Sequence, residues 1–264
     1  VTRILLLGCG KMGGALLAGW IERGVKPADI VVVEPVGAVA APPGMRVVKS
    51  PAEIPGSFQP EIVVLAIKPQ QMAAALPTVA GHRDAVYLSI AAGRTIASID
   101  GGLGGRAAVV RAMPNTPAAV GRGISVAVAN PAVSPGQRAA CGNLLAAVGQ
   151  VEWVEDEALL DPVTAVSGSG PAYVFLLAEA LADAGVAAGL PRPLAERLAR
   201  ATVAGAGELL HRSAEPAGKL REAVTSPAGT TFAALEILRA DPGLNALMRK
   251  AVAAAAERSR QLAN

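Results

Sequence analysis

The sequence predicts an α/β domain with a parallel sheet, residues 1–158, followed by an all-helical domain, residues 159–264. Three observations predict it. Short β-rich runs alternate with helical stretches through the first half, the pattern of a parallel sheet covered on both faces. Beyond about residue 160 the strand-like runs vanish and long alanine-rich helical segments follow. A glycine-rich turn joins the first apolar strand to the first helix at the extreme N-terminus.

Residues 3–7 read as a strand, and residues 12–23 as a helix stopped by Gly24. The β-branched run 30–33 is the second strand, 62–67 the third, and 69–79 is helical. Residues 86–90 and 107–112 form the fourth and fifth strands, and 124–128 extends the sheet. A helix over 135–148 and a short strand over 151–154 close the domain. The helical half reads as helices over 171–188, 191–211, 230–239 and 242–261. Pro171, Pro191 and Pro242 suit first turns, where the missing N–H removes no helical bond.

Composition excludes several classes. With 52% hydrophobic and 17% charged residues in 264, the chain buries a core and is not disordered. Aromatics at 3% argue against stacking platforms for sugars or single-stranded nucleic acid. The net charge of +3 comes from scattered residues, not from a basic tract, so no nucleic-acid partner is expected. Two cysteines, Cys9 and Cys141, and two distant histidines, His82 and His211, leave neither a disulfide framework nor a metal set. A mean hydropathy of +0.42 raises the membrane question. The most apolar segment, 173–186, is interrupted by Glu179 and Asp183, and the apolar run after Arg3 is too short for a signal peptide. A soluble, cytoplasmic chain is expected.

The run Gly8-Cys9-Gly10-Lys11-Met12-Gly13 fits G-x-G-x-x-G between a strand and a helix, the context of a Rossmann-like dinucleotide-binding domain. The first glycine permits the tight turn, the second lets pyrophosphate approach the backbone, and the third packs helix against strand. A turn that only packs the helix is the alternative. Cys9 reads as a small hydrophobe, not a nucleophile. Glu34 ends the second strand, 21 residues after Gly13, where a carboxylate hydrogen-bonds the adenosine ribose and repels a 2′-phosphate. That tilts the expectation from NADPH toward NADH, against the alternative of a solvated strand-end glutamate.

Three more segments sit at strand ends: Ala66-Ile67-Lys68-Pro69, Ser89-Ile90-Ala91-Ala92-Gly93 and Met113-Pro114-Asn115-Thr116-Pro117. Ligands of open α/β sheets bind outside these carboxyl ends, so Ala66, Lys68, Pro69, Ala91, Ala92, Gly93, Met113, Pro114 and Asn115 are expected to line the cofactor crevice. Lys68 reads equally as a solvated lysine, and Asn115 as part of an Asn-Thr turn. The helical half carries Ser167-Gly168-Ser169-Gly170-Pro171-Ala172-Tyr173 and Thr225-Ser226-Pro227-Ala228-Gly229-Thr230-Thr231. In the second of these, Thr230 opens a helix whose free N–H groups suit one carboxylate. Ordinary capping by Ser and Thr is the alternative.

With these segments in this order, the chain resembles the pyrroline-5-carboxylate reductase family over nearly its whole length. The resemblance implies a Rossmann domain followed by an all-α dimerisation domain of the kind seen C-terminally in 6-phosphogluconate dehydrogenase. It implies a homodimer, assembling further into a ring such as a decamer, and hydride transfer from NADPH or NADH to the C=N carbon of 1-pyrroline-5-carboxylate, giving L-proline. It also implies that Ser226 and the N–H groups of Gly229 and Thr230 hold the substrate carboxylate, and that the Thr231 hydroxyl reaches the ring nitrogen. The chain departs from the family at Ala228, where a glycine is common. A backbone conformation compatible with alanine is expected there. Ala223 lacks the polar group that some members carry. A β-hydroxyacid or 6-phosphogluconate type dehydrogenase shares the two-domain plan but needs a lysine in the helical half, and residues 161–210 contain none. A non-catalytic nucleotide sensor would have no use for the 225–231 anion site.

Overall fold

The computed structural model describes residues 2–263 apart from 38 and 40. Its first unit begins with β1 (Ile4–Leu7), α1 (Lys11–Glu22), β2 (Ile30–Val33), β3 (Arg46–Val48) and β4 (Ile62–Leu65). It continues with α2 (Met72–Val79), β5 (Val86–Ser89), α3 (Ile96–Gly102) and β6 (Ala108–Met113). β7 (Gly123–Ala129), α4 (Pro135–Ala146) and β8 (Gly149–Trp153) complete an eight-stranded sheet in the order β3-β2-β1-β4-β5-β6-β7-β8. Every neighbouring pair is parallel except β6 and β7. The connection over 114–122 is too short for a crossover, which takes a dozen or more residues, so β7 returns antiparallel.

Strand pleating explains the continuous apolar runs. Ile4 and Leu6 of β1 pack with Leu16 and Trp20 of α1 and Leu145 of α4. Leu5 and Leu7 point the other way and pack with Met72 and Leu76 of α2 and Ile99 of α3. Successive side chains alternate faces, so four consecutive apolar residues supply two cores. The buried aromatics keep their polar atoms bonded: Trp20 Nε1 donates to the Leu144 carbonyl at 2.9 Å, and the Tyr87 hydroxyl to that of Val79 at 2.7 Å. Burial pushes the Tyr87 phenol and the Cys141 thiol each up to about 12, so both stay protonated.

Four elements lie outside the sequence expectations, the short helix over 160–163 described below and three others. β3 is short, with only Val48 buried. α3 starts on a Thr95 cap but ends in Gly101 and Gly102, which are poor helix formers. α8 (Ala217–Ala223) has no buried residue and therefore no apolar stripe.

α5 (Leu160–Val163) is followed by a π-helical turn over Thr164–Gly168. Then come α6 (Gly170–Ala187), α7 (Arg192–Arg212), α8, α9 (Thr230–Arg239) and α10 (Leu244–Ala263). Pro242 falls before α10 instead of inside its first turn. The compact units are Val1–Gly168 with Ala255–Asn264, and Ser169–Ala254. They part later than residue 158, because Leu160 packs with Val126 and Val128 of the sheet. Within the second unit α6 and α7 form an antiparallel hairpin turned at Gly189, where φ is +100°. A Cβ on Gly185 would lie 3.3 Å from that of Ala195, so small residues set a close approach. Glu157–Ala187 is one helical stretch of 31 residues, long and apolar enough by length and composition to cross a membrane. The sequence reading of 173–186 alone missed it. Phe175, Leu176 and Leu177 on α6 are exposed in the single chain.

One ion pair ties β6, an interior strand, to the turn that precedes the helical half. Arg111 on β6 is 6% exposed, and its Nη1 donates to Glu157 Oε1 at 2.7 Å. The same oxygen accepts the Ile96 N–H at the start of α3, at 2.8 Å. Removing the carboxylate leaves a buried guanidinium unpaired. Glu157→Ala is expected to lower the unfolding free energy by about 3 kcal/mol, measured by urea denaturation; a loss below about 1 kcal/mol shows that the pair behaves as a surface salt bridge.

Candidate active site

The order of strands changes direction between β1 and β4, and the glycine turn lies at that switch point, where open α/β sheets bind their ligands. Gly8 has φ +87°, and a Cβ there would sit 2.7 Å from the Ala66 carbonyl oxygen. A Cβ on Gly13 would overlap the Gly8 carbonyl and lie 3.2 Å from the Ala66 Cβ. Both glycines let the backbone of α1 and the turn lie against the end of β4. Gly10 is different: nothing lies within 4 Å of where its Cβ would be. It is also the N-cap of α1, with no side-chain cap. The helix therefore presents its N-terminal N–H groups, with Lys11 and Met12 in the first turn, over an open backbone surface.

Glu34 faces this turn. Its Oε2 accepts the Cys9 N–H at 2.7 Å and its Oε1 the Val36 N–H at 3.1 Å. A carboxylate has about four acceptor sites, so it keeps capacity for two hydroxyls. The Cys9 thiol is pushed up by burial and then by the Glu34 charge, which keeps it protonated and unreactive.

The next two strand ends are tied together. Arg94 Nε donates to the Pro69 carbonyl at 3.0 Å, and the buried Ser89 Oγ accepts the Ala91 N–H at 3.3 Å. Gly93 has φ +66°. Lys68 is exposed, while Met113, Pro114 and Asn115 follow β6. Asn115 is engaged in the fold: its Oδ1 accepts the Ile124 N–H at 2.9 Å and holds the start of β7. Its Nδ2 and one lone pair of Oδ1 remain for a ligand. Among the described residues no group of three or more His, Cys, Asp or Glu converges as a metal set.

Ser226, Gly229, Thr230 and Thr231 belong to the second unit. The Gly229 N–H donates to the Ser226 carbonyl at 3.1 Å, closing a turn with Pro227 second and Ala228 third. Ala228 has φ +54°, the one positive value among the described non-glycine residues. Proline second and positive φ third define a type II turn, which favours glycine in that third place. The expected compatible backbone at Ala228 is therefore not what the fold adopts. The turn needs the left-handed region, and alanine accepts the strain. A Cβ on Gly229 would overlap the Ser226 Oγ, so glycine lets that hydroxyl lie over the start of α9. The Gly229 N–H, the expected carboxylate donor, closes this turn. The next donors are the N–H groups of Thr230 and Thr231, since no side chain caps α9.

A strand–glycine turn–helix at the switch point, with a carboxylate just after β2, defines a dinucleotide-binding protein of the Rossmann class. Comparison with known proteins gives the family. A family model described as NADP oxidoreductase, coenzyme F420-dependent, matches residues 3–93, and one for pyrroline-5-carboxylate reductase dimerisation matches residues 157–262. Pyrroline-5-carboxylate reductase of Pseudomonas aeruginosa is 44% identical over 269 residues, covering 99% of this chain and 97% of that protein. The solved structure of the Coxiella burnetii enzyme superimposes with a TM-score of 0.92 at 33% identity, covering 100% of this chain and 99% of that one. That of Plasmodium falciparum pyrroline carboxylate reductase, with NADP bound, gives 0.84 at 28% identity, covering 100% and 98%. The chain belongs to the pyrroline-5-carboxylate reductase family and uses NAD(P)H. Its exposed α6 lies inside the dimerisation match.

The strained turn gives a direct test. Ala228→Gly is expected to stabilise the protein by about 1 kcal/mol, the left-handed penalty of alanine less the added chain entropy of glycine. A higher urea midpoint checks it, and a lower midpoint shows that the turn does not hold residue 228 at positive φ.

Proposed function

We propose that this chain reduces the C=N bond of 1-pyrroline-5-carboxylate to L-proline, the last step of proline biosynthesis, and that the residues below carry it. The assignment of roles rests on two separate features, one in each unit: an open surface at Gly10 and an uncapped α9 N-terminus beside Ser226. The first suits a pyrophosphate and the second a small carboxylate.

Gly8, Gly10 and Gly13, with the Lys11 and Met12 N–H groups, hold the pyrophosphate. Glu34 accepts the adenosine ribose hydroxyls. Ala66, Lys68, Pro69, Ala91, Ala92, Gly93, Met113, Pro114 and the Nδ2 of Asn115 line the remainder. The bound dinucleotide supplies the hydride. Ser226 Oγ and the N–H groups of Gly229 and Thr230 take the substrate carboxylate, and the missing side chain of Gly229 makes room for the Ser226 hydroxyl. The Thr231 hydroxyl bonds the ring nitrogen, fixing the imine plane and leaving the C=N carbon open to hydride. As the nitrogen becomes an amine, it keeps the proton that the basic imine already carried. The chain works as a homodimer, assembling into a larger ring such as a decamer, in the cytoplasm.

Purified protein given 1-pyrroline-5-carboxylate is expected to oxidise NADH or NADPH, followed by loss of reduced-nicotinamide absorbance; no oxidation of either overturns the proposal. Thr231→Ala is expected to lower kcat about ten- to a hundredfold, the worth of one hydrogen bond to a charged group, with cofactor affinity unchanged. Undiminished turnover removes Thr231 from the reaction. Removing the carboxylate that faces a 2′-phosphate is expected to shift kcat/KM toward NADPH, by about tenfold in Glu34→Ser; a ratio that stays put shows that Glu34 does not meet the ribose.

A further inference from the structure

The last turns of α10 return to the first unit and touch a loop assigned above to the cofactor. Gly93 ends the segment after β5. A Cβ at that position would lie 3.0 Å from the Leu262 carbonyl oxygen and 3.3 Å from its carbonyl carbon. The approach is backbone against backbone, with no flexible side chain between. A shift of the helix end is therefore transmitted to the loop.

What holds the helix end is polar and specific. Ser259 is 7% exposed, and its Oγ donates to Asp161 Oδ1 of α5 at 2.6 Å. Ser259 lies three residues before Leu262, on the same helical face, and Ala256 one turn earlier is also buried. Between them Glu257, Arg258, Arg260 and Gln261 pair with one another on the solvated side. A serine is neutral at best in a helix interior. Here the hydroxyl makes its bond to a residue 98 positions away instead of to its own helix. From Asp161 the chain runs through the π turn to Gly168, where a Cβ would lie 2.7 Å from the Met113 Cε. The serine thus fixes the helix end against α5, whose continuation leans on the end of β6.

We propose that Ser259 is a positioning residue: through Asp161 it fixes the end of α10 against Gly93 and thereby sets the Ala91–Gly93 loop for the nicotinamide half of the cofactor. The inference rests on the cofactor reading above. The sheet separates the two halves of the ligand. Glu34 and the glycine turn stand at the ends of β2 and β1, while Gly93 follows β5 on the other side of the switch point. Adenosine and nicotinamide halves divide along that line.

The division makes the test selective. Binding of NADH and of ADP-ribose, which lacks only the nicotinamide, is measured by calorimetry on the wild type, Ser259→Ala and Ser259→Thr. Ser259→Ala is expected to weaken NADH about fivefold, the worth of one hydrogen bond, to leave ADP-ribose unchanged, and to raise KM for NADH more than it lowers kcat. Ser259→Thr keeps the hydroxyl and is expected to bind NADH like the wild type. Unchanged NADH binding in Ser259→Ala overturns the proposal, as does equal weakening of both ligands, which marks a purely structural serine. If the wild type binds neither ligand, the cofactor reading itself fails.

Discussion

The arrangement depends on backbone-to-backbone contact at the end of β1. Gly8 and Gly13 lie so close to Ala66 and to each other that a side chain at either position has no room. That contact brings the start of α1 against the end of β4 and leaves Gly10 as the open place. Glu34 then bridges from β2 to the same turn through the Cys9 N–H. Three consecutive strands of the sheet are thereby set around one site by groups with little freedom to move. Electrostatic preorganisation needs such rigidity, since donors that must be reoriented on binding lose part of their effect.

The second unit uses the same device with different parts. Gly229 admits the Ser226 hydroxyl to the start of α9 because it has no Cβ, while Ala228 supplies the left-handed bend that turns the chain into the helix. Strain in a turn persists only where the surroundings over-determine it. Here Pro227 pre-sets one residue and the 226–229 hydrogen bond closes the turn. The exposed apolar face of α6 has a related logic. Within the 31-residue helical stretch, an 18-residue window of mean hydropathy 1.3 is only 11% buried in its own chain. The match to a dimerisation domain over this stretch offers a partner for such a face.

Much of this was legible in the sequence. The strands β1, β2, β4, β5 and β6 announced themselves as apolar runs because a parallel strand is buried on both faces. The glycine turn was legible because three closely spaced glycines answer three steric demands. What escaped has physical reasons too. β3 and α8 bury almost nothing and leave no periodic signal. The reversal at β7 follows from the length of a connection, not from any residue in the strand. The Ser259–Asp161 and Arg111–Glu157 pairs join positions 98 and 46 residues apart, and no local pattern encodes a partner at that distance.

By itself the sequence determined the class of each half, the glycine turn and the position of the helix that begins at Thr230, because these follow from local sterics and side-chain period. Only the tertiary structure decided that the Gly229 N–H closes a turn, that Asn115 Oδ1 serves β7, that Ala228 sits at positive φ, and that the end of α10 rests on Gly93. Each of these is a choice between partners for one polar group or one backbone angle. Such choices are made by whichever neighbour packing brings within reach.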